Sequence, residues 1–148
     1  MLKQKIYDQC SKIMLEKVMG LQKRLLDLSE SAANETKSTA GDKHETALAM
    51  LQIEQASIRE QLKQTQAQQA VLLKIDPLVK SNSIRNGSLV KTNQGYLFIS
   101  VALGKVELEN DFFIALSAQS PLGAKLIGLQ AGHQATINQL TYHIESVE

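Results

Sequence analysis

Apolar residues in the first third of the chain fall on two interleaved seven-residue series. Tyr7, Met14, Leu21 and Leu28 make one, and Val18, Leu25 and Ala32 make the other. Steps that alternate between three and four residues lay a narrow stripe along a helix, the pattern two helices bury against each other in a coiled coil. The spacing predicts a helix from Leu2 to about Ala33, roughly 48 Å long at the ~1.5 Å rise of an α-helix. Gly20 lies inside the pattern and weakens it by about 1 kcal/mol relative to Ala without breaking it. The stripe lapses over "SESAANETKSTAGD" and returns as Leu48, Leu51, Ile58, Leu62 and Leu72, with Gln55, Thr65 and Gln69 on the same seam. Two matching stripes about a polar segment predict an antiparallel hairpin over residues 1–75, with its tip near residues 30–46. The polar seam residues make the second arm the weaker helix, and the same stripes could pair between two chains instead.

The periodicity shortens beyond Pro77, which cannot continue a helix, and "SNSIRNG" carries turn chemistry. Residues 76–87 read as a linker and residues 88–148 as a second domain. Within it "SLVKT", "YLFISVAL", "GKVELEND" and "FFIALS" are short β-branched or aromatic runs bounded by Asn, Gly and Asp. Ile137, Tyr142, Ile144 and Val147 add a last strand or two. The stretch "SPLGAKLIG" has helical spacing, with Ser120 placed as N-cap, Pro121 at the first helical position and Gly128 near the end. The expected fold class is α+β: a helical hairpin, then a small, mostly antiparallel sheet with one short helix.

Composition supports two differently built halves. The first 75 residues hold one aromatic, Tyr7, whereas Tyr96, Phe98, Phe112, Phe113 and Tyr142 belong to the second part. Basic against acidic residues number 11 to 9 up to residue 75 and 5 to 6 beyond it. That balance argues against a protein that grips nucleic acid through its phosphates. A single cysteine, Cys10, excludes an internal disulfide and suits a reducing compartment, with the thiol buried or half-buried on its helix. The opening "MLKQKIYDQC" lacks the apolar run of a secretion signal, and no segment of about 20 apolar residues offers a membrane span. A cytoplasmic protein with no membrane association is expected.

Candidate chemistry concentrates at the turn between the stripes. Asp42 and Glu45 stand three positions apart, a spacing that puts two residues on one helix face, where both could address one ion. The same spacing is a capping box, with Asp42 as N-cap and Glu45 reaching back, and the two readings partly coexist. His44 could carry a proton near neutrality, or be an exposed histidine without a task. Lys43 sets a positive charge beside the acids and opposes cation recruitment, whereas Glu30 and Glu35 add negative charge or are simply solvated. Lys12, Lys17, Lys23 and Arg24 are scattered along the first arm. His133 and His143 have no Cys or His partner at ligand spacing, which argues against a zinc site.

Three stretches, in order over nearly the whole chain, resemble one family. "GDKHETALAMLQIEQ" (Gly41 to Gln55), "KIDP" (Lys74 to Pro77) and "SPLGAKLIGLQAG" (Ser120 to Gly132) are similar to the tip, linker and C-terminal motifs of bacterial Gre-type transcript-cleavage factors. The resemblance implies an antiparallel coiled coil followed by a domain of FKBP-like fold. It implies a monomer that binds bacterial RNA polymerase through the secondary channel and meets nascent RNA only within the elongation complex. The chain would not be an enzyme by itself. It would stimulate the polymerase's own cleavage of backtracked RNA, with Asp42 and Glu45 completing the shell of an active-site Mg²⁺ that the chain does not hold stably alone. His44, Lys43 and Glu35 would be accessory tip residues, and Ser120, Pro121, Leu122 and Gly123 would dock on the polymerase. Where the family has Leu-Ser between the acids and Asn after the second, this chain has Lys43, His44 and Thr46. The FKBP-like domain would need an aromatic-lined pocket to act as a prolyl isomerase, and fold alone does not supply that activity. Two further readings stay open: a channel-binding regulator of polymerase that does not promote cleavage, and a coiled-coil adaptor that dimerises through residues 1–75 and never meets polymerase.

Overall fold

The computed structural model describes residues 1–36 and 41–148, and the side chains of residues 35, 36 and 41–44 lie outside that description. Two helices, α1 (Leu2–Thr36) and α2 (Gly41–Leu73), precede a six-stranded sheet and one short helix. The strands are β1 (Leu89–Thr92), β2 (Gly95–Ser100), β3 (Gly104–Leu108), β4 (Asp111–Ser117), β5 (Gln134–Ile137) and β6 (Leu140–Val147). Helix α3 (Pro121–Leu126) stands between β4 and β5. The fold is therefore α+β. No helix among the described residues is long and apolar enough to cross a membrane.

The chain divides into two compact units, Ile13–Gln68 and a second made of Met1–Lys12 with Gln69–Glu148. In the first, the helices bury the seam that their heptads specify. Met14, Val18, Gln55, Ile58 and Thr65 are buried, while Leu21, Leu25, Leu28, Ala32, Leu48, Leu51 and Leu62 are half-buried. Arg24 forms an ion pair with Glu54, and Gln55 Nε2 donates to Ser29 Oγ at 3.4 Å. Glu16 and Lys17 border a groove with Gln64 and Gln68, whereas Arg24 and Ser29 further along α1 meet Glu54 and Gln55 further back on α2, so the hairpin is antiparallel and intramolecular. The buried hydroxyl of Thr65 donates to Gln61 O at 2.8 Å, which satisfies it within its own helix.

In the second unit the strand order is β3-β4-β2-β1-β6-β5. All neighbours are antiparallel except β2 and β4, which run parallel in the register Tyr96↔Phe113 to Ser100↔Ser117. The chain leaves β2, forms β3 one place further out, and returns as β4 in between. One sheet face carries Val90, Leu97, Ile99, Leu116 and Ile144, which pack in a single cluster with Leu126 of α3, Ile84 and Ala135. The alternate residues Leu89, Phe98, Val106, Phe113 and Ala115 point the other way and are buried too. Ile6 of α1 lines a groove with Tyr96 and Phe113 of that second face, and Ile75, just past α2, packs at Gly87 ahead of β1. Central β2 is consequently buried on both sides, which suits its unbroken apolar run.

Two local features fix the domain's turns. Asn138 and Gln139 both adopt positive φ, 50° and 67°, the twist that joins β5 to β6 by a two-residue loop. Gly123 is required by proximity: a Cβ there would stand 2.1 Å from Ser117 O.

Candidate functional site

Helix α2 is described from Gly41 onward, and positions 42 and 45 both have helical backbone. The side chains of Asp42, Lys43, His44 and Glu35 lie outside the described residues, and with them the capping and metal-binding contacts expected of Asp42. Glu45 is exposed, as is Glu30 near the end of α1. Among the described residues no group of three or more His, Cys, Asp or Glu side chains could hold a metal ion by itself. Two carboxylates are nevertheless a chemically suitable partial set for Mg²⁺, a hard cation that takes oxygen ligands, is often bound through one or two carboxylates and keeps several waters.

The basic residues of the first arm do not converge. Lys12, Lys17, Lys23 and Arg24 are all exposed, and Arg24 is engaged with Glu54. Gly20 leaves open space on the hairpin surface, in a groove bordered by Lys17, Arg24, Gln61 and Gln64. His133 has a structural task, since its Nδ1 accepts from Gln130 N at 3.0 Å. His143 pairs across the hairpin with Gln134, and its backbone N donates to Asn93 Oδ1 at 2.7 Å.

Ser120, Pro121, Leu122 and Gly123 are brought together at the start of α3. Ser120 Oγ donates to Ser117 O at 2.7 Å and accepts from Gly123 N at 3.0 Å, the N-cap arrangement that its sequence position predicts. Pro121 is exposed, Leu122 packs partly against the sheet cluster, and Gly123 is buried. Three of the four therefore serve the local fold, and Pro121 presents the most surface.

Lys3 carries no weight in a reading of the sequence, yet it is 3% exposed. Its Nζ donates to Val79 O at 2.7 Å, closing the first turn of α1 onto the segment after α2. A lysine at the margin of an apolar stripe reads as a solvated residue, so only the chain's return past Val79 reveals it.

No protein-family model matches the chain, and neither does any curated protein. Among solved structures, the chain is similar to one described as "Structure of the transcription factor Gfh1", with TM-score 0.38 and 16% sequence identity over 94% of this chain and 93% of that one.

Proposed function

We propose that this protein is a transcription factor that binds RNA polymerase through its secondary channel and stimulates the enzyme's own cleavage of backtracked RNA. One observation carries the reading: positions 42 and 45, the two acids of the Gre-like tip motif, fall in the first two turns of α2, where the helices of the Ile13–Gln68 hairpin are joined. A hairpin whose seam is closed by its own two arms can present that end to a site inside another protein without first ordering a loop. Asp42 and Glu45 would hold Mg²⁺ together with groups of the polymerase. The metal would supply Lewis acidity and orientation for attack of water on an RNA phosphodiester. The chain's own contribution is binding, placement of two carboxylates, and exclusion of competing geometries. Ser120 to Gly123 would contribute to docking mainly through Pro121, because the other three are engaged in the fold.

The test is transcript shortening in stalled, backtracked elongation complexes, with the wild-type chain run beside Asp42→Ala and Glu45→Ala. Mg²⁺-dependent shortening that both variants lose while still binding polymerase is the expected result. Wild-type binding without shortening would overturn the cleavage role and leave a non-cleaving regulator, the outcome that Lys43 between the two acids would favour. Failure to bind polymerase would reject both.

A further inference from the structure

A cavity of about 520 Å³ in the sheet-bearing unit lies beside the end of α2 and the loop before β1, well within the size range of small-ligand sites. Its charged lining is Lys3, Lys74, Arg85 and Asp76. Three cations against one carboxylate leave an excess of two positive charges. One oxygen of that carboxylate, Asp76 Oδ1, accepts from Leu78 N at 2.9 Å, and beyond the lining Glu148 and Lys80 add one charge of each sign near Lys3. The two ion pairs among the described residues are Lys5 with Glu109 and Arg24 with Glu54, so neither Lys74 nor Arg85 has an anionic partner. Both are exposed and free to turn toward a ligand.

Lys3 is the unusual member. An ammonium has three donors, and Nζ of this buried lysine uses one of them on Val79 O. Burial lowers its pKa from the ordinary 10.5. Arg85 and Lys80 push it further down, and Glu148 and Asp76 oppose them. Burial rather than neighbouring charge thus disfavours this cation, since Glu148 acts on it more strongly than Arg85, and Lys3 lines the cavity with two of its three Nζ donors uncommitted.

We propose that this cavity binds a small phosphate-bearing ligand, with Arg85 and Lys74 meeting its oxygens from the open side and Lys3 Nζ from the buried side. A phosphate monoester carries close to two negative charges at neutral pH and offers three acceptor oxygens, which matches both the charge excess and the number of cationic groups. A carboxylate supplies half that charge. Arg85 adds the planar fork that pairs with two phosphate oxygens at once. The apolar remainder of the wall, Val71, Ile75 and Val79, would lie against the organic part of such a ligand.

Amide NMR titration of the full chain tests this at neutral pH and constant ionic strength, using inorganic phosphate, glycerol 2-phosphate and, as a monoanion control, acetate. Saturable shifts at Asn86, Gly87 and Ser88 with both phosphates, and none with acetate, are expected. Tighter binding of glycerol 2-phosphate would identify an organic phosphate, and equal binding would point to the free ion. Either Arg85→Gln or Lys74→Gln should weaken binding about tenfold, the loss of one charged hydrogen-bonding group. Because both residues are exposed, unchanged core amides would verify that each variant folds. In the phosphate-bound protein the Lys3 ammonium should titrate at higher pH than in the free protein. Shifts that never saturate, that acetate reproduces, or that survive both substitutions would overturn the proposal.

Discussion

Gly123 shows how a residue that resembles part of a docking motif can be fixed by packing alone. An added Cβ would stand 2.1 Å from a backbone oxygen, Ser117 O, and cannot be relieved by turning a side chain. Gly123→Ala should therefore lower stability by about 2 kcal/mol or more, in the range of overpacked sites. Ser120→Ala, which removes only the cap, should lose about 1 kcal/mol. Urea denaturation of the two variants checks the order, and a harmless Gly123→Ala would show that α3 can slide away from β4. Cys10 offers a second residue-level case. Burial pushes its thiol from 9.0 up to about 12. The folded state then holds its proton at a pH where the unfolded chain has lost it, so the contribution of Cys10 to stability falls as pH rises from 9.0 towards about 12. Stability curves of wild type and Cys10→Ala should converge over that interval. At pH near 8 the native thiol should resist a disulfide reagent that modifies it promptly in urea.

At the level of elements, the hairpin seam was legible in detail because one physical rule, burial every third or fourth residue, governs a helix pair. Gln55 and Thr65 stand on the seam by phase alone, and both are buried despite their polarity. The strands were legible from alternation and turn residues, as with "SLVKT" and "YLFISVAL", which hold β1 and β2, whereas the Asn138–Gln139 loop was not singled out. Their order was not: a period of two tells which residues share a face, not which strand lies alongside. The parallel pairing of β2 with β4 therefore has no local signature. Lys3 stayed hidden for a related reason, since its burial depends on Val79, 76 positions away. Of the candidate site, residue types and spacing were legible at Asp42 and Glu45, and both positions have helical backbone, while the side chain of Asp42 lies outside the described residues. The polar seam also makes a prediction. The amide of Gln55 reaches Ser29 Oγ at 3.4 Å, the outer limit for a hydrogen bond, and is 8% exposed. Gln55→Leu keeps the volume and removes a poorly compensated desolvation, so it should stabilise the chain by about 1 kcal/mol. Ile58→Ala, at a site 5% exposed, should instead lose about 3 kcal/mol. Arg24→Ala should change stability by less than about 1 kcal/mol, because its ion pair with Glu54 is solvent-exposed. Thermal melts should rank Gln55→Leu highest, Arg24→Ala next and Ile58→Ala lowest, and a destabilising Gln55→Leu would mean that the amide makes a better bond in solution.

For the molecule as a whole, the decisive question is whether the seam is closed within one chain or between two. Met14 and Val18 from α1 and Ile58 from α2 are buried by the chain's own arms, and Arg24 meets Glu54 of the same chain. An adaptor that dimerises by exchanging this seam between chains would have to open the hairpin first. The full chain of 16.3 kDa should accordingly sediment as a monomer, with an unfolding midpoint that does not move with protein concentration. A dimer whose midpoint rises with concentration would shift the seam to the interface between chains and favour the adaptor. This measurement bears on the functional proposal before any polymerase is added. A closed hairpin carries one pair of acids at positions 42 and 45, and the proposed function asks for one such pair at one Mg²⁺. A dimer built on the same seam would carry two such pairs, and the proposal of a single delivered ligand set would fall.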